Sequence, residues 1–282
     1  MKKIVLSLVI IGFVLAGCNH TKKDELERQI TVKFTVNHEF SSFLKSTQED
    51  EEALDAVVLF GVDDSGNVIE SFSEITGTEL GTGKTLTLSP DITSLYAVAN
   101  YPTQINAATV SELNLLTCDY SVMPTTFFVM TGVESLTFSD EVIIDLERAV
   151  AKIEVAGKNG FEVKEVKVND TPDEGYAFPQ KPLNVSSFGT TDYTIIPNGP
   201  IYVAENNSEN PTTLTVKGTY DGKEYILDVE FIVKNQRVPV ERNKLYVISI
   251  VPQPAEDYDV NITFEIKEWS LEVVDPQIVE VD

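Results

Sequence analysis

The chain has 282 residues, with 45 acidic against 21 basic side chains and a net charge of −24, so its surface repels nucleic acid and anionic lipid headgroups alike. At 42% hydrophobic and 23% charged it has the composition of a folded globular protein, and at roughly 100–200 residues per domain it is long enough for two domains. Two cysteines and two histidines are too few for a disulfide framework, a Cys/His zinc site or a multi-histidine metal centre.

Lys2 and Lys3 precede an apolar run from Ile4 to Ala16, and Leu15-Ala16-Gly17-Cys18 sets small residues in front of a cysteine, the layout of an export signal. The run is shorter than the ~20 residues a spanning helix needs. It resembles bacterial lipoprotein signals, which implies that residues 1–17 are a signal peptide, removed before Cys18, and that the Cys18 sulfur carries a diacylglyceryl group. Each buried methylene then adds about 0.8 kcal/mol, so two or three acyl chains hold a protein at a membrane. Residues 18–29 form a polar tether; Asn19 to Glu25 reads either as a charged surface-export signal or as a solvated spacer between lipid and fold. With Cys18 lipidated, Cys118 has no partner and reads as a small buried hydrophobe.

The body of the chain reads as strands. Ile30 to Val36 alternates. Leu54 to Phe60 is apolar and β-branched, and the turn formers Asp63 to Asn67 lead into a hairpin partner at Val68 to Phe72. Ser94 to Tyr101 and Thr125 to Thr131 are further strands. Between them Thr109 and Glu112 form a capping box, with Val110, Leu113 and Leu116 at helical spacing, which predicts one short helix over 110–117. Downstream, Ala149 to Val155 and Glu162 to Val168 alternate as half-buried strands. Thr212 to Tyr220 and Lys223 to Val233 flank Asp221-Gly222, whose positive φ angles suit a two-residue hairpin. Lys244 to Val251 and Asp259 to Trp269 complete an all-β pattern, punctuated by 13 prolines and 15 glycines, that favours β-sandwiches over parallel βαβ units.

Catalytic constellations are scarce. His20 lies in the tether and His38 in an N-terminal strand, with neither a Gly-x-Ser-x-Gly nor a P-loop in the sequence. The acidic stretches Glu49 to Glu52 and Asp170 to Glu174 lack the spacing of a calcium loop and read as solvated faces. The expectation is therefore a non-enzyme with no cofactor and no metal. A hydrolase with an unrecognised site is the least favoured alternative.

Several passages together resemble the fimbrillin family of Bacteroidetes, the subunits and anchors of type V pili. They are the Cys18 lipobox, Tyr96 to Pro102, Phe128-Val129-Met130, Leu146 to Ile153 with its Glu-Arg-Ala-Val-Ala-Lys-Ile core, Arg242 to Tyr246, and Trp269. The resemblance implies two tandem transthyretin-like Greek-key β-sandwich domains, 30–139 with the one short helix and 140–282. It also implies export as an outer-membrane lipoprotein, removal of an N-terminal strand, and polymerisation by strand exchange with other subunits. The alternative is a monomeric surface lipoprotein that binds glycan or a host or bacterial surface protein.

Physical sense attaches to these residues independently. Arg148 is placed to cap or pair where one sandwich passes to the next, Ala149 and Ala151 permit close sheet packing, and Asn243 can take a turn conformation before a strand. Candidate processing sites follow from the resemblance. Polymerising fimbrillins are cut after a basic residue, usually arginine, in the stretch where this chain has Phe43-Leu44-Lys45-Ser46-Thr47, so Lys45 takes that place. A cut after Arg28 would remove lipid and tether but keep the first strand. The tail 273–282 is β-branched, with Val274, Ile278, Val279 and Val281 as candidate donor-strand residues. It reads equally as the last strand of its own domain, with Pro276 at an edge or bend.

Overall fold

The computed structural model describes residues 27–36, 51, 53–124, 127–137, 139–180, 188–195, 199–233, 236–252 and 260–268. Cys18, His38, Lys45, Trp269, Val274, Ile278, Val279 and Val281 lie outside them.

In the first half, strands β1 (Arg28–Val36), β2 (Ala56–Val62), β3 (Val68–Thr76), β4 (Lys84–Leu88), β5 (Ser94–Ala99), β7 (Met130–Ser135) and β8 (Glu141–Arg148) make one seven-stranded sheet in the order β3-β2-β5-β7-β8-β1-β4. Its two parts meet over a short overlap, Met130 opposite Arg148 and Thr131 opposite Glu147. Beyond it, a Cβ on Gly132 would lie 2.4 Å from the Asp145 carbonyl oxygen, so glycine lets the β7 backbone press on β8. Inward side chains of both parts share one core, including Ile30 and Val32 of β1, Ile144 and Leu146 of β8, Leu59 of β2 and Leu95 of β5. A second apolar layer, Phe60, Val98, Ile105, Leu113 and Phe178, covers the far side of β2 and β5.

In the second half, β9 (Val150–Gly157), β13 (Ile201–Ala204), β18 (Lys244–Pro252) and β19 (Val260–Glu268) form the sheet β13-β9-β18-β19. β10 (Glu162–Pro172), β12 (Thr190–Ile195), β14 (Thr213–Tyr220) and β15 (Lys223–Val229) form β12-β10-β14-β15. The two sheets face each other across a core that includes Ile153, Val166, Val203, Leu214, Val216 and Ile248. β6 (Thr117–Asp119) pairs with β11 (Glu174–Tyr176), and β16 (Ile232–Val233) with β17 (Gln236–Arg237).

Local chemistry explains most elements. Asp63 ends β2 with a turn in which its carboxylate accepts the backbone N–H groups of Ser65 and Asn67 at 2.9 and 2.8 Å. At the β14–β15 hairpin, Asp221 and Gly222 take φ of 48° and 74°, the pair of positive angles that matches strand twist. Asn243, also at positive φ, turns the chain into β18.

Three expectations change. The helix predicted over 110–117 is only α2 (Val110–Leu113). Thr109 Oγ1 caps it by accepting from the Glu112 N–H at 3.2 Å, but Leu113 is already fully buried and Asn114 ends the turn, because the chain must enter β6 at Thr117. A second short helix, α1 (Thr78–Thr82), precedes β4; none of its five residues is fully buried and only Leu80 packs against the core, so no apolar periodicity announces it. The strand predicted from Thr125 starts at Met130, since Phe127 sits at a φ of 51° that breaks an extended run. The chain leaves the first sheet after β8 and enters the second at β9, across Ala149.

Two pairings join strands remote in sequence in parallel, β1 with β8 and β9 with β18. Among the described residues no helical crossover links either pair, so these parallel neighbours arise there without βαβ units.

Candidate assembly site

β1 lies in a slot between β8, parallel to it from Thr31 opposite Glu141 to Val36 opposite Leu146, and β4, antiparallel from Arg28 opposite Leu88 to Val32 opposite Lys84. The first described strand is thus an interior strand of the sheet. Its alternation sends Ile30, Val32 and Val36 into the core, with Phe34 packed against it. These inward side chains carry most of what holds β1, at about 1.5–3 kcal/mol for each buried aliphatic side chain.

The outward side chains of β1 make a polar ladder. Lys33 Nζ meets Glu141 Oε2 at 2.7 Å, Thr35 Oγ1 donates to Asp145 Oδ1, and Thr31 and Thr85 hydroxyls lie 3.4 Å apart. The Lys33 and Glu141 side chains are 41% and 50% exposed, so water screens their attraction. Gly83, at a φ of 91°, runs close over β1; a Cβ there would lie 2.9 Å from Lys33 Cγ and 3.1 Å from the Val32 carbonyl oxygen. Arg28, the candidate upstream cutting site, opens β1, and its guanidinium donates to the Ser139 carbonyl. A cut after it leaves Gln29 to Val36 seated.

Where the chain passes to the second sheet, a group of charges is buried. Lys152 in β9 is fully enclosed and reaches both carboxylate oxygens of Glu51, at 2.8 and 3.0 Å. Tyr202 in β13 donates to Glu51 Oε1 at 2.6 Å. Arg148, the last residue of β8, donates Nε to the Glu51 carbonyl at 3.0 Å, and its backbone N–H donates to Asn243 Oδ1 at 3.4 Å. Glu154 adds a second carboxylate 3.3 Å from Lys152 Nζ. Two cations and two anions therefore balance in a dry space, the condition under which buried charge is tolerated. Burial and the hydrogen bond to Glu51 push the Tyr202 hydroxyl far above the usual tyrosine range.

The acidic run at Glu49 to Glu52 was expected to be a solvated face, yet Glu51 is buried. It is the single described residue between β1 and Ala53, and it is held by strands of both halves. Lys152 and Glu154 were read as the outward, wet side of a half-buried strand. Both are buried on a face that Glu51 meets, with Tyr202 on the neighbouring β13 directly opposite Lys152 and the Phe128 ring centroid 4.5 Å from that of Tyr202. The only sequence signal was the placing of two charges inside the apolar run Ala149 to Val155. Arg148 fulfils the pairing expected of it, and Ala149 and Ala151 are buried among close-packed strands.

Nearby, Arg242 holds the carbonyls of Tyr176 and Ala177 at 2.6 Å each and pairs with Glu205. Cys118 is free and buried, and burial pushes its thiol up to about 11, so it stays protonated and unreactive near neutrality. The hydroxyl of Tyr120 beside it donates to the Ala149 carbonyl at 3.1 Å.

No family model matches the sequence, and no curated protein matches it. Solved structures do match. The tip fimbrial protein Mfa3 from Porphyromonas gingivalis, with C-terminal truncation, is 14% identical, with a TM-score of 0.60 over 86% of this chain and 100% of that one. The chain has a fimbrillin-like fold. A candidate cell adhesion protein from Bacteroides eggerthii is 14% identical, with a TM-score of 0.62 over 86% of this chain and 96% of that one. The fimbrilin FimA from Porphyromonas gingivalis is 14% identical, with a TM-score of 0.55 over 87% and 98%.

Proposed function

We propose that the protein is a structural component of a cell-surface fimbria that contributes to adhesion. On this reading it is exported as an outer-membrane lipoprotein through Cys18, and it assembles when β1 is replaced by a strand from another subunit. The observation that carries the reading is the position of β1: the first described strand lies inside the sheet, between β8 and β4, with Ile30, Val32 and Val36 in the core. A cut after Lys45 would free that strand, and Glu51 would keep the rest of the chain pinned to Lys152 and Arg148. The fimbrillin-like fold supports the same reading. Two domains joined across Ala149 then act as one rigid subunit, and the tail 273–282, through Val274, Ile278, Val279 and Val281, enters a neighbouring subunit. The role is mechanical and needs neither catalysis nor a cofactor.

Surface protein recovered from cells, run on denaturing gels with and without boiling, tests this. Heat-resistant ladders whose members lack residues upstream of 46 are the expected result. A single monomer band that still begins at lipidated Cys18, with no ladder, would overturn assembly by strand replacement.

A further inference from the structure

The slot makes two demands on whatever strand lies in it. Its inner face takes apolar side chains at alternate positions, now Ile30, Val32, Phe34 and Val36. Its outer face is lined on the β8 side by Glu141, Ile143 and Asp145, all exposed, and on the β4 side by Thr85 and Thr87. β1 answers the outer face with hydroxyl, amine and hydroxyl, Thr31, Lys33 and Thr35, of which Lys33 meets Glu141 and Thr35 meets Asp145. A carboxylate in place of Thr31 or Thr35 would stand directly opposite Glu141 or Asp145, and one in place of Lys33 would lie diagonally between them with no cation, which destabilises a strand pair.

This chain's own tail meets neither demand. Residues 269–282 hold four carboxylates, at Glu272, Asp275, Glu280 and Asp282, and no lysine or arginine. Four alternating inward positions span seven residues. With odd-numbered residues inward, every such window of the tail buries Asp275; with even-numbered residues inward, every window buries Glu272 or Glu280. Each register therefore sets an unpaired carboxylate in the core, which is costly, and offers the β8 carboxylates no cation.

We propose that the slot selects a strand from a different protein, one with apolar residues on one face and lysine, arginine or hydroxyl residues on the other, and rejects the tail of its own kind. The inference rests on the strand-replacement reading. It makes the assembly a hetero-assembly at this subunit, with the tail destined for a slot of different charge.

The test uses the full chain with a protease recognition site inserted within 37–50, cut while folded so that β1 remains seated. Three fluorescent peptides compete for the slot, read by anisotropy and by mass spectrometry of the displaced fragment: residues 28–36, the same peptide with Lys33→Glu and Thr35→Glu, and residues 269–282. The first is expected to exchange in. The doubly acidic peptide should bind at least ~10-fold more weakly at low salt, where such charges are least screened, and Glu141→Lys in the protein should close most of that gap. The tail peptide should not enter. Equal binding of all three overturns the selectivity while leaving strand replacement intact. If even the 28–36 peptide fails to exchange while the rest stays folded, strand replacement fails and the inference with it.

Discussion

β1 and β9 are both interior strands with a parallel neighbour, and they are held in opposite ways. β1 has one wet face, where its ion pair is about half exposed on each side, and one dry face of aliphatic side chains. β9 is dry on both faces from Val150 to Val155, and its charges, Lys152 and Glu154, are 0% and 2% exposed. Removing one partner from a buried pair leaves a stranded charge, at about 3–5 kcal/mol, whereas an exposed pair contributes about 0–1 kcal/mol. On the strand-replacement reading, a chain that gives up β1 from its first sheet and keeps its second needs this asymmetry. Glu51 stands at the border, tying the chain that follows β1 to β9.

The sharpest way to break the comparison is at Lys152. Lys152→Ala is expected to lower unfolding free energy by about 3–5 kcal/mol, because the buried carboxylates of Glu51 and Glu154 lose the ammonium that both face. Urea denaturation of single and double variants checks it, with Glu51→Gln/Lys152→Met recovering part of the loss. An unchanged midpoint for Lys152→Ala would mean that water reaches the pair. Next in size, Ile30→Ala should cost about 2–4 kcal/mol as a cavity in the first core, measured the same way.

Much of the slot was legible in the sequence and little of the lock. The alternation of Ile30 to Val36, the turn at Asp221-Gly222 and the punctuation by glycine and proline gave the strands, because these are local preferences. The neighbours of β1 were not readable, since its parallel partner β8 lies far along the chain and pairing at that distance leaves no local mark. Glu51 was hidden by its company. Among Glu49, Asp50 and Glu52, nothing local distinguishes the carboxylate that a lysine and a tyrosine bury. Lys152 and Glu154 kept strand parity, and parity cannot tell a wet face from one covered by another element. The helix at 110–117 was overextended because its capping box marks a start, while its end was set by the demand that Thr117 enter β6.

Smaller effects sharpen the contrast. Burial raises the Cys118 thiol from 9.0 to about 11, so the folded state keeps its proton where the unfolded chain loses it. The contribution is complete below pH 9 and is lost as the pH rises toward 11, at most about 2–3 kcal/mol. Tyr193, pushed to about 12 mainly by burial, acts in the same direction above pH 10. Cys118→Ala should flatten part of the alkaline decline in thermal midpoint, and an identical decline in the variant would assign it elsewhere. The smallest effect belongs to the ladder: Lys33→Ala should shift stability by less than about 1 kcal/mol, by urea titration at low and high salt.

Hydrogen exchange on the intact chain, resolved by peptide mass spectrometry, tests the asymmetry most directly. Amides of 29–36 are expected to exchange through a partial opening that leaves 150–156 protected, so β1 opens at a lower free energy than β9. Equal protection of the two strands, with both exchanging only through global unfolding, would contradict a separable β1.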